Sequence, residues 1–367
     1  MMVFRPFLAT LALFVLSGGP ISAQDGRAIV GDLQAIRGSD GVQVLEQVEL
    51  GGTPQWVSVR GKDRSNPVLL FLHGGPGDPG IGLSWAFQRS WEEFFTVVQW
   101  DQRGGGKNVS GIDLTRRVPD PDLTIDRLTA DAEELVAHLR DRFQQDRILV
   151  VGHSWGTVLG TRLALRRPQW LRAFVAIGHV GGSMRANEAA VYEALVEEAR
   201  IRNDSAAAAD LAAIAPYPPR RGVIPPSSMA VRGRLISTYG GSLFAEPDGL
   251  RVYFSQVQLS PDYDQEEREN WAAGASRVIW HLANVGLFDV DLEAEGLEFE
   301  VPVFFFHGRH DLHTPMRSTR RYFEAIDAPQ KDFLVFERSA HSPHLDEPGL
   351  FLDRLRGVAH GAGGGGR

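Results

Sequence analysis

Short and almost continuously apolar runs recur along the chain. Runs of about four to eight such residues are typical of strands that are covered on both faces of a sheet. They occupy residues 67–72, 95–100, 147–151, 173–177, 301–306 and 332–336. We therefore expect these segments to form the buried strands of one sheet.

Amphipathic stretches separate these runs. Apolar residues recur at three- and four-residue spacing between positions 125 and 143, for example at Leu128 and Ala132, which predicts a helix. Residues 156–165 and the segment after Pro315 show a similar pattern. Strands that alternate with helices predict the α/β class, with a mostly parallel, doubly wound sheet.

Residues 183–300 depart from this alternation. They contain an alanine-rich stretch and then a cluster of prolines, and apolar runs of the strand type are scarce. We interpret them as a mostly helical cap, inserted between a first core segment at 45–182 and a second core segment at 301–360. The glycine-rich residues 361–367 are expected to form a flexible tail.

The first residues have the pattern of a targeting segment. Arg5 is followed by an apolar run at 7–16, which is too short to span a bilayer, and small residues precede position 24. We therefore expect residues 1–23 to be a signal peptide that is cleaved near Ala23, so that the protein is secreted or periplasmic and has no stable membrane insertion after processing. The alternative is an uncleaved membrane anchor.

Composition limits the chemistry that the chain can perform. The 367 residues carry a formal net charge of −8, which argues against a nucleic-acid partner because phosphate binding needs a concentrated basic surface. There is no cysteine, so thiol nucleophiles, thiolate metal sites and disulfides are excluded.

The strongest local motif is Gly152-His153-Ser154-Trp155-Gly156. It matches G-x-S-x-G, follows a predicted strand and leads into a predicted helix, as expected for a nucleophilic serine on a sharp strand-to-helix turn. The helix N-terminus would favour negative charge that develops beside the hydroxyl. We therefore predict that Ser154 is the nucleophile, against the alternative of an ordinary tight turn.

A serine nucleophile needs a histidine base and a carboxylate that orients the base. Asp311 is the first carboxylate after the predicted strand at 301–306, and His341 follows the last predicted strand. This order of serine, acid and histidine is the one that the strand-turn-helix motif implies. We therefore predict that Asp311 is the acid and His341 the base, with His344 as the competing histidine.

The reaction also needs donors for a developing oxyanion. The backbone N–H of Trp155, directly after the nucleophile, is the first candidate. The loop His73-Gly74-Gly75-Pro76-Gly77 follows an early strand and offers the N–H of Gly75 as the second. The alternative of a phosphate-binding loop lacks the Walker pattern.

No metal or cofactor is predicted. The set His307, His310, Asp311 and His313 offers ligand atoms for a metal as an alternative reading. It lacks the helical spacing of known zinc motifs, and the predicted catalytic site already uses Asp311.

Three motifs together are more specific than G-x-S-x-G alone. The combination of HGGPG at 73–77, DQRG at 101–104 and GHSWGT at 152–157 resembles the proline iminopeptidase family of α/β hydrolases. The resemblance implies the α/β-hydrolase fold with a helical cap and hydrolysis of short substrates, often by removal of an N-terminal proline. Asp101 and Arg103 are then expected to brace the loops around the site, the alternative being that one of them binds substrate.

The chain departs from that family's pattern in two places. Members that are aminopeptidases hold the free amino terminus with cap glutamates, one of them in a Trp-Glu context, and residues 183–300 contain no such match. The DQRG loop continues with Gly105 and Gly106, where the family commonly has a serine or threonine between glycines. These departures bear on the substrate rather than on the catalytic residues.

The sequence thus predicts a serine hydrolase whose partner is a small-molecule or short-peptide substrate. An exported peptidase that acts on short peptides or amino-acid amides is the first hypothesis. A carboxylesterase or lactonase with the same residues is the second, and a catalytically silent binding protein is the third.

Overall fold

The computed structural model describes residues 23–109, 112–114, 120–244, 246 and 249–361. Within them, eight strands form one sheet in the order β1-β2-β4-β3-β5-β6-β7-β8. The strands are β1 (Val42–Leu50), β2 (Thr53–Gly61), β3 (Val68–Leu72), β4 (Thr96–Trp100), β5 (Ile148–His153), β6 (Leu171–Ile177), β7 (Val303–Gly308) and β8 (Lys331–Phe336).

The sheet is parallel from β4 to β8, whereas β2 runs antiparallel to both β1 and β4. The predicted mostly parallel α/β sheet is therefore confirmed, and every predicted strand is present. The hairpin of β1 and β2 was not predicted. Its turn lies at Gly51 and Gly52. Between its two buried end residues, β1 is partly or fully exposed, and its residues do not form a continuous apolar run.

Helices cover both faces of the sheet. Those of the core are α1 (Ala23–Gln34), α2 (Ile81–Ser84), α3 (Ile125–Phe143), α4 (Gly156–Arg166), α11 (Met316–Ala325), α12 (Pro343–Asp346) and α13 (Pro348–Gly361). On one face, Leu135 of α3 and Val158 of α4 pack in the larger apolar cluster. On the other face, Phe351 of α13 packs with Trp91 and Phe306.

The insertion between β6 and β7 contributes no strand to the sheet within the described residues. Its helices are α5 (Met184–Ile201), α6 (Ser205–Ala213), α7 (Pro226–Thr238), α8 (Gly249–Ser255), α9 (Gln265–Asn284) and α10 (Leu292–Glu295). Helices α5, α6 and α7 share a small apolar core of their own, which includes Leu195, Leu211 and Leu235. The predicted helical cap at 183–300 encloses all of these helices.

Both chain ends are described only in part. The predicted signal peptide lies outside the described residues except for Ala23, where α1 begins, and residues 362–367 of the predicted tail also lie outside them. No helix in the described part of the chain is long and apolar enough to cross a membrane.

Candidate active site

Ser154 lies on the sharp turn between β5 and α4. Its φ angle is 53°, in the left-handed region that a side chain with a Cβ rarely adopts. Space is the reason for the glycine at 156, because a Cβ there would lie 2.0 Å from the carbonyl oxygen of Leu72. The turn therefore holds the Ser154 hydroxyl beside the N-terminus of α4, where a developing negative charge is favoured.

Asp311 and His341 meet beyond the ends of two neighbouring strands. Asp311 follows β7 and His341 follows β8, and His341 Nδ1 lies 2.8 Å from Asp311 Oδ2. Both side chains are buried. A carboxylate on Nδ1 leaves Nε2 as the nitrogen that can accept a proton, which is the tautomer that a general base requires.

The loop after β7 fixes the Asp311 carboxylate. Thr314 donates to it from its hydroxyl at 2.6 Å and from its backbone N–H at 2.9 Å, and the N–H of His313 donates at 2.8 Å. Burial alone raises the pKa of Asp311. The charge and hydrogen bond of His341, together with electrostatic interactions with His307 and His313, outweigh burial, so this pKa lies below its ordinary value and the group stays ionised.

Three further histidines surround His341. The rings of His313 and His153 have centroids 4.5 Å and 4.8 Å from that of His341, and His344 lies next to His153. Burial, together with the charge of His341, lowers the pKa of His153, His313 and His344, the last to about 3. These three rings are therefore neutral.

His344, the competing candidate for the base, packs in an aromatic environment. Its ring lies 5.1 Å from that of Phe87 and 5.9 Å from that of Phe351. Its Nδ1 is buried without a hydrogen-bond partner in the described part of the chain. The carboxylate of Asp311 is thus bound to His341 and not to His344.

Ser154 and His341 line one cavity of about 300 Å³ beneath the cap. Ser154 also lines a second cavity, of about 90 Å³. Both residues lie in the described part of the chain, and the Ser154 hydroxyl makes no hydrogen bond to His341 there. Such contacts are often long in the absence of substrate and tighten when substrate binds.

The two residues that carry the predicted oxyanion donors also line these cavities. Gly75 lines both of them, and Trp155 lines the smaller one. Neither backbone N–H donates to another group that the structure describes. The two donors are therefore free to bind an oxygen atom that enters beside Ser154.

Comparison with known proteins identifies the family of this chain. A family model described as alpha/beta hydrolase fold matches residues 67–348. The chain belongs to this α/β-hydrolase family. The match begins just before β3 and extends to the start of α13, so it includes Ser154, Asp311 and His341 as well as the whole cap.

Among curated relatives, this α/β hydrolase is similar to the "Probable aminopeptidase YbaC" of Bacillus subtilis, with 29% identity across 86% of this chain and 95% of that protein. It is 24% identical to the "Proline iminopeptidase" of Heyndrickxia coagulans, across 78% of this chain and 88% of that one. The resemblance to proline iminopeptidases that the motifs predicted is thus confirmed, and the chain is a hydrolase.

Solved structures of related α/β hydrolases share the fold. A proline iminopeptidase from Mycobacterium smegmatis superposes with a TM-score of 0.57 at 20% identity, across 87% of this chain and 98% of that one. An esterase from Exiguobacterium antarcticum gives a TM-score of 0.54 at 19% identity, across 86% and 100%. At these identities the likeness establishes the fold alone.

The three sequence motifs of this α/β hydrolase are joined by hydrogen bonds. The N–H of Gln102 donates to His73 Nε2 at 3.2 Å, and Trp155 Nε1 donates to Gln102 Oε1 at 3.0 Å. Burial lowers the pKa of His73 to about 4, so its ring is neutral and Nε2 can accept this bond. The HGGPG loop, the DQRG loop and the serine turn therefore form one hydrogen-bonded unit.

Asp101 and Arg103 lie outside the described cavities. Asp101 accepts hydrogen bonds from the hydroxyl of Tyr263 in the cap and, at 2.9 Å, from the N–H of Lys107. Arg103 donates to both oxygens of Asp131 on α3, at 2.9 Å and 3.1 Å, and is almost fully buried. Their contacts are with other parts of the protein and not with the space beside Ser154, so the bracing role stays the prediction.

Charged cavity residues were missed by sequence reasoning. Glu188 on α5 is buried beside Arg232 on α7, with Nε of Arg232 2.8 Å from Glu188 Oε2, and it accepts a hydrogen bond from Tyr217. Asp78 lines the larger cavity. No motif marks any of these residues, although Asp78 directly follows HGGPG.

Gly178, at the end of β6, was also missed. Its φ is +54°, and a Cβ there would lie 2.8 Å from His341 Nδ1. The absence of a side chain thus makes room for the imidazole. The need for a glycine beside the predicted base cannot be inferred from one sequence, because it depends on how β6, β7 and β8 lie together.

The histidines and acids do not assemble a metal site in the described part of the chain, where no group of three or more ligand side chains converges. His307 is a residue of β7 and is buried, with neither ring nitrogen hydrogen-bonded to a described group. His310 points elsewhere, against the ring of Phe244 at 4.8 Å. Only Asp311 and His313 of that set lie beside His341.

Proposed function

We propose that this α/β hydrolase is a serine hydrolase that works through an acyl-enzyme, with Ser154 as nucleophile, His341 as base and Asp311 as the orienting acid. The observation that carries the proposal is the 2.8 Å contact of His341 Nδ1 with Asp311, on a ring that shares its cavity with Ser154. This arrangement matches the roles that acyl transfer by serine requires.

The reaction proceeds in two steps in this proposal. His341 Nε2 takes the proton of the Ser154 hydroxyl as the oxygen attacks the substrate carbonyl, and the N–H groups of Trp155 and Gly75 stabilise the resulting oxyanion. The leaving amine or alcohol takes that proton from His341 as its bond to the acyl carbon breaks. Water then attacks the acyl-serine by the same route and releases the acid.

Short peptides or amino-acid amides are the proposed substrates. The cavity beside Ser154 is about 300 Å³, at the small end of the range for ligand sites, and the cap covers it. The names of the curated relatives point to the same class of reaction. We therefore assign an aminopeptidase activity of the proline iminopeptidase type.

A carboxylesterase or lactonase with the same three residues is the second candidate. Both reactions pass through an acyl-serine, and the esterase from Exiguobacterium antarcticum has the same fold. Only the leaving group and the recognition of the acyl part separate the two activities. A catalytically silent binding protein would perform neither.

Export is part of the proposal. The apolar segment at 7–16, followed by small residues up to Ala23, supports a signal peptide. Intact-mass measurement on periplasmic or medium fractions should find a chain that begins near Gln24. Protein that retains Met1 in the membrane fraction would favour the anchor.

Two measurements test the catalytic proposal. A fluorophosphonate probe should label wild-type protein at Ser154, and labelling should vanish in Ser154→Ala; labelling that persists would end the assignment, and a wild-type protein that is neither labelled nor active would support the silent binding protein. A panel of amino-acid arylamides, with and without N-acetylation, beside short acyl esters should then show cleavage of the free-amine arylamides. Ester cleavage alone would replace the peptidase with the esterase.

A further inference from the structure

Asp78 is an acidic side chain in the larger cavity that the proposed catalytic steps do not use. It follows HGGPG directly, and its residue lines the same cavity as Ser154 and His341. The loop folds back at this point, because the N–H of Asp78 donates to the carbonyl of Gly74 at 3.3 Å. Asp78 is thereby held close to the oxyanion donor Gly75.

The Asp78 carboxylate has no cationic partner in the described part of the chain. No hydrogen bond or ion pair there uses its side-chain oxygens. Burial raises the pKa of Asp78 to about 7, with only the charge of His341 acting against it, and Asp78 in turn helps to raise the pKa of Tyr253. An ionised carboxylate in such a place is unfavourable until a cation joins it.

The other charged groups of the two cavities are already compensated. Glu188 has Arg232 at 2.8 Å and the hydroxyl of Tyr217 as partners. Arg232 lines both cavities, but its charge is balanced by Glu188. Of these three charged side chains, Asp78 is the one whose charge is left for a ligand to neutralise.

Asp78 lies next to Gly75, the proposed donor to the carbonyl oxygen of a substrate. A Cβ built on Gly75 would lie 3.3 Å from Asp78 Cγ, so the carboxyl group is next to the residue whose N–H is the proposed donor to the carbonyl oxygen. A substituent on the carbon that bears this carbonyl is therefore within reach of Asp78. In an amino-acid amide or a peptide, that substituent is the α-ammonium group.

We infer that Asp78 is the residue that recognises the substrate's α-ammonium group. This inference rests on the proposed function, but it concerns only the acyl part of the substrate and not the leaving group. The cation is supplied by the substrate, and pairing with it stabilises the ionised carboxylate. Charge recognition thus lies on the oxyanion loop of the core, three residues after Gly75, and not on the cap.

Two esters that differ only by an ammonium group test this role. The benzyl esters of alanine and of 2-methylpropanoic acid exchange NH₃⁺ for CH₃ with little change of shape. At pH 7 the wild-type protein should prefer the alanine ester about 10- to 100-fold in kcat/KM, as expected for a hydrogen bond to a charged group. Asp78→Asn should reduce this preference to about 1, because kcat/KM falls far more for the alanine ester than for the neutral ester.

A matched control separates local recognition from net charge. Glu266→Gln removes one negative charge from an exposed position on α9, and it should keep the wild-type preference. An equal loss toward both esters in Asp78→Asn would assign the residue to support of the oxyanion loop and overturn the inference. A wild-type protein with no preference for the ammonium ester would overturn it too.

Binding without turnover gives a second measurement. Calorimetry on Ser154→Ala should detect alaninamide more strongly than 2-methylpropanamide, and the difference should disappear when Asp78→Asn is added; equal binding of the two amides would contradict the inference. The two proposals fail separately. If the protein cleaves esters but no arylamides, and its preference for the ammonium ester depends on Asp78, the inference stands and the peptidase is refuted. If the protein cleaves arylamides, and its preference for the ammonium ester is unchanged in Asp78→Asn, the peptidase stands and the inference is refuted.

Discussion

A single methyl group at Gly178 should displace the proposed base. In Gly178→Ala the new Cβ would lie 2.8 Å from His341 Nδ1, 2.9 Å from Cε1 of the same ring and 3.2 Å from Asp311 Oδ2. Ordinary carbon contacts are about 3.5 Å or longer. The imidazole must therefore move by roughly 0.6 Å or more, unless the backbone moves in its place.

The expected loss of activity follows from that displacement. A misplacement of about 1 Å in a reacting group costs on the order of 100-fold, so kcat/KM of Gly178→Ala should fall about 10- to 100-fold. The φ of +54° adds a cost in stability, because the left-handed region is about 1–2 kcal/mol less favourable for alanine. The variant should therefore fold, with a modestly lower free energy of unfolding.

Steady-state hydrolysis of the best substrate and the rate of fluorophosphonate labelling measure the effect. Both rates should fall together, because both need His341 in place. Gly52→Ala is the control, since Gly52 also has a positive φ of +68° but an added Cβ meets nothing within 4 Å. It should lose stability and keep full activity. Wild-type rates in Gly178→Ala would refute the proposed position of the base.

Three further outcomes are expected. Asp311→Asn should fold normally and lose about 10⁴-fold in kcat, because an amide favours the wrong tautomer of His341; full activity in steady-state assays would move the acid role elsewhere. Arg103→Met should lower the free energy of unfolding by about 3 kcal/mol in urea titrations and leave kcat unchanged, because it removes a buried partner of Asp131; a stable variant with a raised KM would favour substrate binding by Arg103. Asp78→Asn should gain stability over wild type as pH rises from about 4 to 7, because the folded protein holds the Asp78 proton up to a pKa of about 7 whereas the unfolded chain loses it near 3.8; urea titrations with a pH-independent difference would contradict this.

Much of the fold could be predicted because strands that are buried on both faces of a sheet have a simple sequence pattern. The strands β3 to β8 are short apolar runs, and α3 begins and ends where its periodicity does. The hairpin of β1 and β2 escaped prediction because β1, at the edge of the sheet, exposes part of its surface, so Glu46 and Glu49 interrupt its apolar residues. Its turn at Gly51-Gly52 was the available signal.

The site could be predicted only as far as strand order allows. Asp311 and His341 were chosen because each follows a strand, and the parallel sheet brings those strand ends together. Glu188 and Arg232 come from different cap helices, and a helix exposes the same residue types to solvent as to a cavity. Their contact depends on how the cap folds, which one sequence does not show.

The contacts between the DQRG loop and the cap affect how far the cap can be exchanged. Tyr263 bonds to Asp101, and Glu267 at the start of α9 pairs with Lys107 at 2.6 Å. A chimera that takes its cap from a relative would leave Asp101 and Lys107 without these partners unless both cap residues are transferred. Engineering of new specificity is therefore better confined to α5–α7, while α9 of the original protein is kept together with its core.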